Sequence, residues 1–339
     1  MKKHCALWAS STLKRILITG AAGFIGYHTA LNLLKQGLTV YGLDNLNSYY
    51  DTKLKEGRLE QLAQYPGFVF ERVDIADSPA LERFWQTHGP FTHVIHLAAQ
   101  AGVRFSVQNP QVYVESNLMG FTNILERCRY NQGLQHLVYA STSSVYGANE
   151  ALPFAEDHAA DRPISFYAAT KRANELMAQS YFTLYNLPVT GLRYFTVYGP
   201  WGRPDMALFR FTKAIMAGEP IQVFNHGHMM RDFTFIDDIV DGTLLALAKT
   251  LPAYTRGAMH PLYNVGNTNP RQLMDFINVL EDTLRKKAHI EYKDMQLGDV
   301  AQTASDSHKA QAELGYNPRV SIEDGIAQFV RWYKGYYGA

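Results

Sequence analysis

Tyr167 and Lys171 lie four residues apart, a spacing that puts two side chains on one face of a helix and lets both reach a single site. The chemistry such a pair can do is proton transfer. A phenol titrates near pH 10, so action as a base near neutrality needs a shift of about three units, roughly 4 kcal/mol. A lysine cation and a second positive charge in the site can jointly supply it. The pair by itself is common. Thr142-Ser143-Ser144 gives it weight, because these residues follow a strand-like run and a doubly wound sheet holds its ligands at the carboxyl ends of its strands. Thr142, Tyr167 and Lys171 are therefore the candidate catalytic residues.

A second constellation precedes them. Gly20, Gly23 and Gly26 fall between a strand-like run and a helical one, where glycines let the backbone approach a pyrophosphate and set it on a helix N-terminus. Asp44 stands 24 residues after Gly20, at the end of the second strand-like run. A carboxylate there accepts from both hydroxyls of an adenosine ribose and repels a 2′-phosphate, which favours NAD over NADP. The plain alternative is a glycine turn with an unrelated surface aspartate.

The elements that must position these residues alternate. Arg15–Thr19, Thr39–Leu43, Phe68–Arg72, His93–Leu97, Leu137–Ala140 and Val189–Arg193 read as strands with helical patterns between them. Parallel neighbours need right-handed crossovers, which put helices on both faces and predict a doubly wound, Rossmann-type α/β fold. Phe166–Tyr185 carries Ala169, Ala173, Leu176, Met177 and Leu184 at three- and four-residue steps, one apolar helical face. The expected division is a leader over residues 1–13, an NAD-binding domain over 14–196 and a smaller α/β substrate lobe over 197–339. In that lobe helices are expected near Met206–Ala217, Pro270–Lys287 and Ile322–Tyr336, with strands at Ile221–Phe224 and Tyr263–Val265, the latter expected to rejoin the main sheet.

The composition narrows the partners. Against 31 Asp+Glu stand 32 Lys+Arg among 339 residues, which leaves no broad field for nucleic acid or an anionic membrane. Two cysteines, Cys5 and Cys128, provide neither a disulfide framework nor a paired-cysteine zinc site. With cysteine this scarce the cytoplasm is the expected compartment, and since no run reaches the eighteen or so apolar residues of a membrane span, a soluble protein is expected. His226 and His228 flank Gly227 without a third ligand, and no metal is assigned.

Taken together, Thr19–Gly26, Asp74-Ile75, Leu97-Ala-Ala-Gln100, Asn117, Ser141–Gly147, Tyr167–Lys171, Arg193–Pro200 and Arg231–Asp238 resemble the extended short-chain dehydrogenases/reductases, specifically the nucleotide-sugar epimerases, from Arg15 to the C-terminus. The resemblance implies cofactor contacts at Gly20, Gly23, Phe24, Ile25, Gly26, Asp44, Asn45, Asp74, Ile75, Leu97, Ala98, Ala99, Gln100, Asn117, Tyr194 and, on the nicotinamide ribose, Lys171. In that family dehydratases carry Asp-Glu after the catalytic Thr, and decarboxylases a Glu before Val-Tyr-Gly; Ser143 and Ser144 fill those places here.

Gln100-Ala-Gly-Val-Arg104, Thr196 and Gly202-Arg-Pro-Asp-Met206 narrow the resemblance to the epimerases that invert the fourth carbon of UDP-glucuronate. Arg104, Ser143, Ser144, Thr196 and Arg203 are then substrate candidates for the uronate or the diphosphate, with Val223, Arg231, Gln296 and Asp299 for UDP. A homodimer built from the helix after Pro110 and the Tyr167 helix is also implied. Two other readings stay open: a 4-epimerase of a neutral UDP-hexose, either UDP-glucose or UDP-N-acetylglucosamine, and a non-catalytic dinucleotide sensor.

Overall fold

A computed structural model describes residues 14–338 except Pro252 and Tyr254. The leader expected over residues 1–13 lies outside the described residues. Six strands open the chain: β1 (Arg15–Thr19), β2 (Thr39–Asp44), β3 (Phe68–Arg72), β4 (His93–His96), β5 (His136–Thr142) and β6 (Val189–Tyr194). Short strands follow at β7 (Thr196–Tyr198), β8 (Ile221–Phe224), β9 (Met230–Arg231) and β10 (Phe233–Phe235). Then come β11 (Leu262–Val265), β12 (Arg271–Gln272) and β13 (Ile290–Lys293).

The main sheet runs in the order β11-β6-β5-β4-β1-β2-β3, and every neighbouring pair in it is parallel. This is the expected doubly wound sheet, and the segment near Tyr263 does rejoin it. Ile16, Leu17 and Ile18 on β1 are all fully buried. Ile16 and Ile18 pack into one apolar core and Leu17 into another on the opposite face. Helices on both faces thus explain why the central strands read as continuous apolar runs and not as alternation.

The order reverses between β1 and β4, so the crossovers leaving these neighbours pass to opposite sides and open a crevice at their carboxyl ends. Beyond β6 the chain builds a second layer from parallel β7–β10 and β8–β13 pairs and an antiparallel β9–β12 pair. The helix expected from Pro270 begins at Leu273, because Arg271 and Gln272 are drawn into the ladder with Arg231 and Met230. The helix expected after Pro110 is interrupted. A four-residue helix at Pro110–Tyr113 passes into a π-helical stretch, Val114–Met119, and then into the helix Gly120–Tyr130.

Candidate active site

One cleft of about 740 Å3 occupies the crevice and extends under the second layer. Its floor is the glycine turn. Gly20 adopts φ +73°, and a Cβ there would lie 2.8 Å from the Ala98 nitrogen; a Cβ on Gly26 would collide with the Gly20 carbonyl oxygen. Gly23 starts the helix Phe24–Lys35 with no side-chain cap, leaving bare backbone toward the cleft. Asp44 at the tip of β2 accepts from the N–H groups of Ala22 at 3.2 Å and Leu46 at 2.9 Å. Burial raises its carboxyl, with Lys55 the leading opposing charge. Asn45 donates to Asp74 Oδ2 at 2.9 Å. A cradle that excludes side chains, followed by a fixed carboxylate, fits a dinucleotide.

The candidate proton-transfer residues line the same cleft. Ser165 caps the helix Phe166–Tyr185 by accepting from the Ala168 N–H at 3.1 Å, which sets Tyr167 in the first turn and Lys171 one turn on. Thr142 ends β5, accepts from the Ser144 N–H at 3.2 Å and donates to the Ser144 hydroxyl at 3.2 Å. Burial pulls Lys171 down to about 8, with the Glu175 carboxylate pulling back. Burial raises the Tyr167 phenol, opposed by the Arg203 guanidinium and a hydrogen bond with Thr142. Within the protein, the cation that works against burial at the phenol is therefore Arg203, where the spacing alone had pointed to Lys171.

Arg203 enters on the loop after β7 and is held by Asp205, at 3.0 Å from Nε and 2.5 Å from Nη2; Tyr49 donates to the same carboxylate at 3.1 Å. Arg104 pairs with Asp299 at 3.0 Å and lies over the Phe224 ring. Arg231 donates to the carbonyls of Met230, Val300 and Ala301. Burial lowers its pKa, and the Asp299 carboxylate opposes that.

Of the cofactor and catalytic candidates the cleft collects Gly20, Gly23, Phe24, Ile25, Gly26, Asp44, Asn45, Asp74, Ile75, Leu97, Ala98, Ala99, Gln100, Thr142, Tyr167, Lys171 and Tyr194. Of the substrate candidates it collects Arg104, Ser143, Ser144, Thr196, Arg203, Arg231 and Asp299. Three sequence candidates do not line it. Asn117 is buried within the π-helical stretch, where it brackets the Gln100 backbone, accepting from its N–H at 2.8 Å and donating to its carbonyl at 3.1 Å. Its work is to hold a wall residue. Val223 is fully buried in the core, because strand alternation turns Gln222 and Phe224 to the cleft instead. Gln296 accepts at its carbonyl from the Asp299 N–H at 3.2 Å, and its side chain stays outside the cleft wall.

Sequence reasoning gave no role to Asp205, Lys55, Gln222 or Arg210, all of which line the cleft. The available signal for Asp205 was an acid two residues after Arg203 in a Gly-Pro loop. Lys55, whose ammonium donates to Asn47 at 2.9 Å, carried no local signal.

A model of the NAD dependent epimerase/dehydratase family matches residues 16–266. UDP-glucuronate 4-epimerase 2 of Arabidopsis thaliana is 47% identical over 332 residues, covering 95% of this chain and 76% of that one. The crystal structure of UDP-glucuronic acid 4-epimerase from Bacillus cereus in complex with UDP-glucuronic acid and NAD superposes with a TM-score of 0.87 at 36% identity, over 95% of this chain and 100% of that one. UDP-glucose 4-epimerase from Thermotoga maritima with UDP-glucose gives 0.83 at 30% identity, over 95% and 99%.

Proposed function

The chain belongs to the NAD-dependent epimerase/dehydratase family, and from that premise we propose that it interconverts UDP-glucuronate and UDP-galacturonate through a 4-keto intermediate. The observation that carries this reading is the pairing of two sets in one cleft. Thr142, Tyr167 and Lys171 face the cofactor cradle. The hydroxyls of Ser143, Ser144 and Thr196, with the guanidiniums of Arg104 and Arg203, offer a carboxylate-binding wall with no added carboxylic acid on the β5 turn.

Bound NAD supplies the hydride acceptor and donor for the fourth carbon. Thr142 orients the 4-hydroxyl and Tyr167 takes its proton. Lys171 holds the nicotinamide ribose, and Arg203 with Thr142 keeps the phenolate accessible. Asp44 receives the adenosine ribose, which favours NAD over NADP. The ketone then turns to present its other face, and Tyr167 returns the proton. Arg231 and Asp299 serve the UDP diphosphate and ribose. Relatives that act on UDP-glucuronate support this substrate, and the similarity to a UDP-glucose 4-epimerase supports the second reading, a neutral hexose.

Offering the purified protein UDP-glucuronate and UDP-glucose separately, with products followed by NMR, separates the readings. UDP-galacturonate should form from the uronate while UDP-glucose turns over slowly. Efficient turnover of UDP-glucose would favour the neutral-sugar reading, and no turnover of either by NAD-loaded protein would favour a sensor.

The proposed assembly is a homodimer through the helices Gly120–Tyr130 and Phe166–Tyr185, on which Tyr130, Leu176 and Leu184 are exposed. A monomer mass at micromolar concentration would refute it. Among the described residues no helix is long and apolar enough to cross a membrane. The cytoplasm is the proposed compartment, on the scarcity of cysteine.

A further inference from the structure

Glu175 continues the row that Tyr167 and Lys171 begin, at the next four-residue step of the same helix. Its carboxylate is 1% exposed and ties together the elements that carry the site. It accepts from the Ser141 hydroxyl at 2.7 Å, one residue before Thr142 on β5. It accepts from Arg193 Nε at 2.8 Å and Nη2 at 2.9 Å, one residue before Tyr194 on β6. Arg172 on its own helix adds a contact of 2.7 Å. Nothing in the proton transfer uses this group, and a buried ion pair is seldom more stabilising than an apolar pair of the same volume. Another reason for its place is needed.

That reason lies in the surroundings of Lys171, which is 2% exposed. His96 on β4 faces it and is held neutral, pulled down to about 3 by burial and by the lysine charge. Around Glu175 stand Tyr139 on β5, whose phenol burial pushes far up, and His260 from the segment before β11, pulled down to about 4 by burial. Arg193 and Arg172 are engaged by Glu175 itself. Among the described residues packed here, only Glu175 presents a negative charge to the lysine, and one helical turn is close enough for it to act.

We propose that Glu175 is a positioning residue for the epimerisation: it holds Lys171 in its ammonium form and locks the helix bearing Tyr167 and Lys171 against the ends of β5 and β6. The proposal rests on the reading of Lys171 as the group that holds the cofactor ribose.

The test uses NAD-loaded protein, following NAD retained after gel filtration from pH 6 to 9 beside the pH profile of epimerisation. For Glu175→Gln the alkaline midpoint of NAD loss should move down by about one pH unit, and the alkaline limb of activity should move with it. Glu175→Asp should restore part of the shift. If Glu175→Gln fails to fold, Glu175→Gln combined with Arg193→Met leaves no unpaired buried guanidinium; because a cation goes with the carboxylate, the midpoint should still move down but by less. A folded variant with the parent's midpoint would overturn the proposal, since a purely structural role lowers stability without moving a titration. Normal NAD retention in a parent that epimerises nothing would overturn the epimerase reading instead, and the midpoint would still decide the role of Glu175.

Discussion

Tyr167, Thr142 and the hydroxyls around them set what individual residues should do. Tyr167→Phe removes one oxygen from a buried ring, so the fold and UDP-sugar affinity should hold while turnover falls by about 10² to 10⁴; unchanged turnover in a progress-curve assay would contradict the acid/base role. The carboxylate wall has a subtler consequence. Oxidation at the fourth carbon of a uronate gives a β-keto acid, which loses carbon dioxide fastest when the breaking bond stands perpendicular to the ketone plane. Ser144 and Thr196 line the cleft, and on the proposed reading they would hold the carboxylate away from that orientation. Ser144→Ala and Thr196→Ala should therefore raise the ratio of UDP-pentose to UDP-galacturonate, or weaken uronate binding more than hexose binding. NMR showing unchanged partitioning and selectivity in both variants would remove this role. That Thr142, Tyr167 and Lys171 share one cleft was legible in the sequence because helix spacing and strand ends are local properties. Arg203 was legible as a cation but not as the one acting on Tyr167. That depends on a loop folded back from the second layer and held by Asp205 with Tyr49, a contact spanning 156 positions.

Elements follow the same division between local and distant causes. The helix Phe166–Tyr185 was legible from its apolar steps, which are local; the structure adds the Ser165 cap at its start and a left-handed Asn186 at its end. The π-helical stretch around Asn117 was not legible, since such a turn is rare and carries no composition signal of its own. The late start at Leu273 depends on β9, 41 residues earlier than β12 by the Met230 and Arg271 positions that open them. The glycine turn gives a prediction at this scale. Gly26→Ala drives a methyl into the Gly20 carbonyl and should cost about 1–3 kcal/mol together with bound NAD. Gly335→Ala, in the helix Ile322–Tyr337 with nothing within 4 Å of the added carbon, should gain about 0.5–1 kcal/mol and leave NAD in place. Urea midpoints and the nucleotide content of the purified variants check both. Equal midpoints for the two variants would show that the turn tolerates a side chain.

Across the whole molecule, the main sheet and its flanking helices bury histidines that the sequence showed only as scattered residues. His93 and His136 are register partners on β4 and β5, and burial is the leading cause that pulls each down to about 4. His28, beneath the loop carbonyl of Pro200, falls likewise to about 4, and His96, bonded to Thr19, to about 3. A histidine that titrates lower in the folded protein than in the unfolded chain leaves the unfolded state holding more protons at acid pH. The histidine contribution to stability should therefore be flat above about pH 7, decline as pH falls below the unfolded value near 6.5, and keep declining until the folded values of about 4 and 3 are passed. At pH 5 a single site folded at 4 withholds at most about 2 kcal/mol, so several such sites acting together outweigh any one surface charge. Glu175, whose carboxyl is lowered by Arg193 against its burial, adds loss in the same direction at lower pH. Thermal melts at pH 7, 6 and 5 should show Tm falling with each step, and His136→Gln should flatten that fall whatever it does to Tm at pH 7. A parent whose Tm is the same at pH 5 and pH 7 would mean that these rings are protonated in place without cost, contrary to their burial between packed strands.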